Sequence, residues 1–370
     1  MDTFNIYYRL SLTGGENIDR KVEKLCREQS VEMPLGVVPE AIKKKVVGQP
    51  VSIDQIAGDT YDLSVQWPLE NLGGDISTFL NVLYGNISMQ PGIRITGLEW
   101  KKLKGTLFHG PAFGIEAIRD IYGIRDRALS STALKPLGSS AERFGQMCYE
   151  FALGGIDVIK DDHGLTDQSY APFEERVRAC VKAVGKAADE TGRRSYYYPH
   201  ITALAGEAVR RYEKAAELGA DGVIICPHIA GLETMHLLAG MDVELPIIAH
   251  PSFSGALTTH NRQGLSPDFL YGAFWRALGA DYVIYPNVEG RFIFSEEQCL
   301  AINEAARTAE IPFKKSFPMP GGGLQLSDVD KWIETYGKDT AFLMGGSLYE
   351  HPEGITVGAR ELMRKITEIG

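Results

Sequence analysis

The sequence predicts an α/β protein in which a small N-terminal α+β domain of ferredoxin-like layout, residues 1–118, precedes a (β/α)8 barrel, residues 119–370. Three observations carry this. From about residue 129 the chain repeats a short β-rich run, a polar or glycine-containing turn and an amphipathic helical stretch, the pattern of βα units. Eight such β-rich runs can be counted, and eight fit one closed barrel. Before about residue 107 that rhythm is absent, and alternating segments mix with helical ones.

In the N-terminal part, Phe4–Leu10 and Thr60–Trp67 alternate apolar and polar residues as strands do, whereas Asp19–Gln29 and Asp75–Tyr84 have helical spacing. The boundary falls between Leu107 and Leu129. The barrel strands are expected at Ser130–Lys135, Ile156–Lys160, Ser195–Ile201, Gly222–Cys226, Pro246–His250, Tyr282–Pro286, Lys315–Met319 and Ala341–Gly345. Helices lie between them. In Phe173–Thr191, residues Val177, Cys180, Val181 and Val184 share one face, and in Glu207–Leu218 Val209, Tyr212 and Ala215 recur. An open doubly wound sheet would need a glycine-rich dinucleotide turn near the first strand, and none is present.

With 370 residues, 44% of them hydrophobic, the chain can bury a large core. The formal charge of −10 and the absence of a basic run argue against a nucleic-acid-binding surface. Five scattered cysteines without a CxxC pair fit a reducing compartment and argue against structural zinc. The first residues lack the basic and then apolar layout of a signal peptide, and no apolar run is long enough to span a bilayer. The expectation is a cytoplasmic protein with no membrane partner.

Chemistry concentrates in Gly154–Gly164, where a β-branched run delivers Lys160, Asp161, Asp162 and His163 to one strand end. Strand ends of parallel α/β proteins are where sites are built. Mg²⁺ wants oxygen ligands, so Asp162 suits it, while Lys160 can join only if its nitrogen is carboxylated to an anion. A solvated surface turn is the bland alternative, weakened here because the charges directly follow an apolar strand. Other polar residues at strand ends are Lys135, His200, His228, His250 and Asn287 with Arg291. For His228 a packed ring is the stronger expectation, and for His250 packing and function weigh equally.

Two glycine runs, Gly321–Gly323 after the seventh strand and Gly345–Gly346 after the eighth, add a second signal. Either alone could merely permit a tight turn. On adjacent strands they point to a phosphate held by exposed backbone N–H groups, hence to a phosphorylated small-molecule substrate.

Over nearly its whole length the chain resembles the large chain of ribulose-bisphosphate carboxylase and, more closely, the RuBisCO-like proteins. The resemblance rests on Phe108, Gly110 and Pro111, on Lys135–Gly138, Gly154–Asp162, Tyr170–Phe173 and Ile201–Ala203, and on the two glycine runs, all in the expected order. It implies that Lys160 is carbamylated by CO₂ and ligates Mg²⁺ with the acidic residues that follow, and that Lys135 handles protons at the reacting carbon. It also implies that Glu28 and Asn86 are contributed to the barrel mouth of a second subunit, in a homodimer or a multiple of dimers.

The departures from the carboxylases bear on activity. His163 replaces a metal-ligating glutamate, the second lysine of Lys-Pro-Lys is missing after Pro136, Pro251 stands where a phosphate-binding arginine is expected, and Gly321 replaces a serine. Arg291 stands where a mobile-loop lysine stabilises added CO₂, and a flat guanidinium does not reproduce an ammonium point charge. The expectation is therefore Mg²⁺-dependent enolisation of a phosphorylated keto-sugar compound without CO₂ fixation, in an isomerase of the 5-methylthioribulose 1-phosphate type. The alternatives are a decarboxylase of the 3-oxo-isoapionate 4-phosphate type, a barrel aldolase forming a Schiff base on Lys160 or Lys135, and a catalytically silent binding barrel. His163 is either a nitrogen ligand of the metal or a proton carrier.

Overall fold

A computed structural model describes residues 2–242, 245–288 and 290–369. The chain divides into two compact units, one of Met1–Phe108 with Ser254–Leu270 and Glu310–Pro312, the other holding the rest.

The first unit is built on a five-stranded sheet in the order Gly264–Leu265, Ile93–Leu98, Thr3–Ser11, Thr60–Pro68, Gln49–Ala57. Thr3–Ser11 is the antiparallel centre, with Ile6 opposite Val65 on one side and Leu98 on the other. Its alternation buries Phe4, Ile6, Tyr8 and Leu10 together with Leu63, Val65 and Trp67 of its neighbour. Helix Ile18–Glu28 buries Val22, Leu25 and Cys26, and helix Ile76–Tyr84 buries Phe79, Val82 and Leu83. Both start where the sequence supplies a cap: the side chain of Asn17 accepts from the Arg20 N–H, and that of Asp75 from the Thr78 N–H. Gln49–Ala57 is an edge strand exposed along its whole length, so the alternation of Val51 and Ile53 with Ser52 and Asp54 marks no buried face.

The second unit contains all eight expected strands, at Leu129–Leu134, Val158–Asp161, Tyr196–Tyr198, Val223–Ile225, Ile247–Ala249, Tyr282–Pro286, Phe317–Gly321 and Ala341–Leu343. They form two parallel arcs, eighth-first-second-third and fourth-fifth-sixth-seventh. The arcs join at the third and fourth strands, where Ile224 donates to the Pro199 carbonyl and accepts from the Ile201 N–H. At the other seam, a Cβ on Gly321 would meet Leu343 at 3.0 Å, so the seventh and eighth strands are side by side and the cyclic order is that of a (β/α)8 barrel. Val158, Tyr198, Ile224, Ile248, Ile284 and Met319 fill the interior with Ile115 and Ile118 of helix Gly114–Tyr122. That helix is anchored at the strands' N-terminal end, because Asp281, just before the sixth strand, accepts from the N–H groups of Phe113 and Gly114. The C-terminal ends are left for chemistry. No helix among the described residues is long and apolar enough to cross a membrane.

Candidate active site

Strand alternation sorts the Lys160–His163 run. Side chains on one strand point alternately to its two faces, so Lys160 shares the interior face with Val158, whereas Asp161 turns to the helix layer. There Asp161 is fully buried and consumed: Arg176 of helix Phe173–Thr191 pairs with it at 3.0 Å, the Tyr197 hydroxyl donates at 2.7 Å and the His200 N–H at 3.0 Å. Asp162, one residue past the strand, returns to the mouth. It pairs with the Lys135 ammonium from the first strand, accepts from the Gly164 N–H at 3.1 Å, and has His163 Nδ1 3.5 Å from its Oδ1.

Lys160 is 2% exposed, and burial, offset in part by Asp162 and reinforced by Lys135, lowers its pKa to about 8. A substantial neutral fraction is therefore present near physiological pH, and a neutral amine is the form that reacts with CO₂. Burial pushes the Asp162 carboxyl up, but the hydrogen bond from Lys135 and the charges of Lys160 and His163 hold it below its ordinary value. His163 is lowered first by burial, with Lys160, Lys135 and Arg291 adding to the effect against Asp162. Its ring lies parallel to that of His250, centroids 4.2 Å apart. His250, lowered well below the usual histidine range by burial and then by Lys160, accepts from the Ser252 N–H at 3.1 Å. Lys135, Lys160, Asp162, His163 and His250 are thus brought together.

Among the described residues no cluster of three or more His, Cys, Asp or Glu side chains is arranged to hold a metal ion. The donors at the mouth are one carboxylate and two stacked imidazoles, of which His163 presents Nδ1 3.5 Å from Asp162 Oδ1 while His250 Nδ1 already accepts from the Ser252 N–H. Lys160 is beside them, and carboxylation of its buried amine would add the missing anionic oxygens; in that form the residues fit a divalent cation.

Arg291 and the glycine runs form a second group. The Arg291 N–H donates to the Gly322 carbonyl at 2.9 Å, and a Cβ on Gly323 would come within 2.6 Å of Gly290, so the loop after the sixth strand lies directly on the seventh-strand glycines. Gly322 and Gly323 have positive φ, which glycine adopts without strain. A Cβ on Gly345 or Gly346 would meet nothing, so those backbones face open space. The Ser347 hydroxyl, accepting from the Leu326 N–H at 3.1 Å, ties one run to the other.

Glu28 and Asn86 belong to the first unit. Glu28 ends helix Ile18–Glu28 and pairs with Arg27 at 3.0 Å, and Asn86 opens the turn Asn86–Met89. Of the remaining strand-end residues, His200 is a packed ring: Nδ1 is 3.0 Å from the Leu165 carbonyl, Nε2 is 2.5 Å from the Thr202 hydroxyl, and burial lowers its pKa to about 3. His228 leans on Trp275, lowered by burial to about 4, and its Nε2 has no hydrogen-bond partner among the described residues. Asn287 supports the seventh-strand run, donating to the Gly321 carbonyl at 2.8 Å while its Oδ1 accepts from the Tyr336 hydroxyl at 2.7 Å.

Sequence reasoning missed Tyr349. From the short helix after Gly345–Gly346, its hydroxyl donates to the Ala133 carbonyl at 3.0 Å and accepts from the Lys135 N–H at 2.8 Å. A tyrosine three residues beyond a glycine pair carries no local signal of that long-range contact.

The family model for the ribulose bisphosphate carboxylase large chain, catalytic domain, matches residues 114–368. The chain is 34% identical to ribulose bisphosphate carboxylase-like protein 1 of Rhodopseudomonas palustris, over 99% of this chain and 98% of that protein. It is 33% identical to the 5-methylthioribulose-1-phosphate isomerase of Rhodospirillum rubrum, over 96% and 94% of the two chains. It is also 33% identical to the 2,3-diketo-5-methylthiopentyl-1-phosphate enolase of Geobacillus thermodenitrificans, over 80% and 73%. The crystal structure of a Rubisco-like protein from Rhodopseudomonas palustris superposes with a TM-score of 0.89 at 31% identity, over 99% of this chain and 98% of that one. A barrel with this lysine–aspartate mouth, matched in sequence over two thirds of its length by the family model and in structure end to end, belongs to the ribulose bisphosphate carboxylase large-chain family, among its RuBisCO-like proteins.

Proposed function

We propose that the barrel mouth enolises a phosphorylated keto-sugar compound without fixing CO₂, as an isomerase of the 5-methylthioribulose 1-phosphate type. The observation that carries this reading is the convergence of Lys135, buried Lys160, Asp162 and His163 on one mouth. The names of the isomerase and enolase relatives support it, since both substrates so named are phosphorylated and forming an enol removes a proton beside a carbonyl.

Lys135 is the group placed to take that proton and return it, held toward the reacting centre by Asp162. Asp162, His163 and a carbamate on Lys160 would hold Mg²⁺, which supplies positive charge beside the oxygens that become negative. Backbone N–H groups of Gly321–Gly323 and Gly345–Gly346 bind the phosphate, and the Arg291 guanidinium neutralises a further anionic oxygen. His250 stacks on His163 and limits its motion. One phosphate cradle favours a monophosphate. Glu28 and Asn86 complete the mouth of a neighbouring subunit in a homodimer.

The test offers 5-methylthioribulose 1-phosphate and 2,3-diketo-5-methylthiopentyl 1-phosphate in D₂O, with product and deuterium followed by NMR. The expected result is Mg²⁺-dependent deuterium exchange and isomerisation of the first, lost in Asp162→Asn and Lys160→Ala. Full activity in Asp162→Asn refutes the metal role, and covalent trapping by borohydride would instead assign a Schiff-base aldolase. Ribulose 1,5-bisphosphate with labelled CO₂ is expected to yield no labelled acid, because Arg291, Pro251 and Gly321 replace groups a carboxylase uses.

A further inference from the structure

The donor atoms at the mouth decide which divalent ion it favours. Of the run Lys160–His163, Asp161 is unavailable because Arg176, Tyr197 and the His200 N–H already occupy its oxygens. Asp162 contributes a carboxylate, and Lys160 contributes oxygen only when carboxylated. The third protein donor is a nitrogen: His163 Nδ1 stands 3.5 Å from Asp162 Oδ1, with its ring stacked on His250, the two planes 12° from parallel. Two donors to one octahedral ion, each at about 2.1 Å, sit about 3 Å apart, so this pair needs only a small closure to share a cation.

The shell is therefore mixed oxygen and nitrogen. Mg²⁺ demands oxygen ligands and releases its waters reluctantly, whereas imidazole suits first-row transition ions, whose affinities rise from Mn²⁺ toward Co²⁺ and Ni²⁺ for a given nitrogen and oxygen site. Building on the metal reading above, we propose that His163 ligates through nitrogen and makes this site prefer a first-row divalent transition ion to Mg²⁺.

Metal-stripped protein is equilibrated with bicarbonate and titrated with Mn²⁺ followed by EPR, then with Co²⁺ and Mg²⁺ as competitors, and pulsed EPR reads nitrogen coupling to bound Mn²⁺. The expected affinity order is Co²⁺, Mn²⁺, Mg²⁺, with an imidazole ¹⁴N signal in the wild-type protein. In His163→Glu that signal disappears and the Co²⁺-to-Mg²⁺ affinity ratio falls roughly tenfold, as expected when an oxygen replaces the imidazole nitrogen. Mn²⁺ bound without ¹⁴N coupling in the wild-type protein overturns this inference alone, and that readout needs no variant to fold. An imidazole ¹⁴N signal that persists in His163→Glu comes from a residue other than His163 and overturns it too. If the wild-type protein binds none of the three ions with or without bicarbonate, the metal reading of the proposed function falls with it.

Discussion

Asp161 and Asp162 are neighbours in the chain with opposite tasks, and Lys160 beside them shows what the site costs the fold. Lys160 is buried with its pKa lowered from 10.5 to about 8. Well below pH 8 the amine is charged in both folded and unfolded states, so folding bears the full burial penalty. Between pH 8 and 10.5 the folded state has released a proton that the unfolded state still holds, and stability rises with pH. The shift corresponds to a penalty on the order of 3 kcal/mol at neutral pH. Lys160→Met is expected to abolish turnover yet raise stability at pH 7 by about 1–3 kcal/mol, with the gain shrinking toward pH 10. Urea unfolding at the two pH values measures this, and a less stable variant at pH 7 would contradict it. The alternation that separates the two aspartates is a local property, legible in the sequence once the strand is placed. That Arg176, Tyr197 and the His200 N–H would claim Asp161 is not, because those partners lie 15 to 39 residues away.

Between elements, the link that matters most is Tyr349, which fastens the helix after the eighth strand to the end of the first. Its hydroxyl bonds on both sides of Leu134, so it fixes the backbone from which Lys135 projects. Tyr349→Phe keeps the ring, and with it the edge-to-face contact with Phe151 at 5.3 Å, but loses both hydrogen bonds. The expected outcome is a turnover lower by about ten- to a hundredfold, as for a slightly displaced catalytic group, with KM for the phosphorylated substrate little changed. A purely structural tyrosine would instead lower stability and leave kcat of the folded fraction intact, so kcat and the urea midpoint are measured together. At this scale the sequence was most informative where a segment buries one face. Phe173–Thr191 is a helix over the expected residues, while Gln49–Ala57 was not among the expected strands, its short alternation of Val51 and Ile53 with polar residues lying on an exposed edge rather than a buried face.

Across the whole molecule, buried histidines tie stability to pH. His200 and His228 are lowered by burial to about 3 and about 4, and His250 also lies well below its ordinary 6.5. As pH falls below 6.5 the unfolded chain takes up protons that these folded rings refuse, so stability is lost in that direction, by about 1.4 kcal/mol per pH unit for each ring. Asp281 works the other way: burial raises it to about 6, so it offsets part of the loss between pH 6 and its unfolded value near 3.8. His228→Leu is expected to flatten the fall in unfolding free energy between pH 6 and 4.5 by about one ring's share; an unchanged slope would mean that His228 is protonated in the folded state. Assembly gives a second expectation at this scale. If Glu28 and Asn86 serve a neighbour's mouth, mixing inactive Lys160→Ala and Asn86→Ala chains restores part of the activity, since a hybrid dimer keeps one site free of both changes. No recovery after verified subunit exchange would place the whole site within one chain. By itself the sequence determined the βα rhythm, the eight strands and the lysine–aspartate run that marks the mouth, because each is written in residues close together along the chain. Tertiary structure alone decided which partners claim Asp161, which tyrosine holds Lys135, and that Gly264–Leu265 leaves the barrel's sequence to pair with Ile93–Leu98 in the first unit. Those choices are made by contacts between residues far apart in sequence, and local periodicity records burial but not the identity of the partner that provides it.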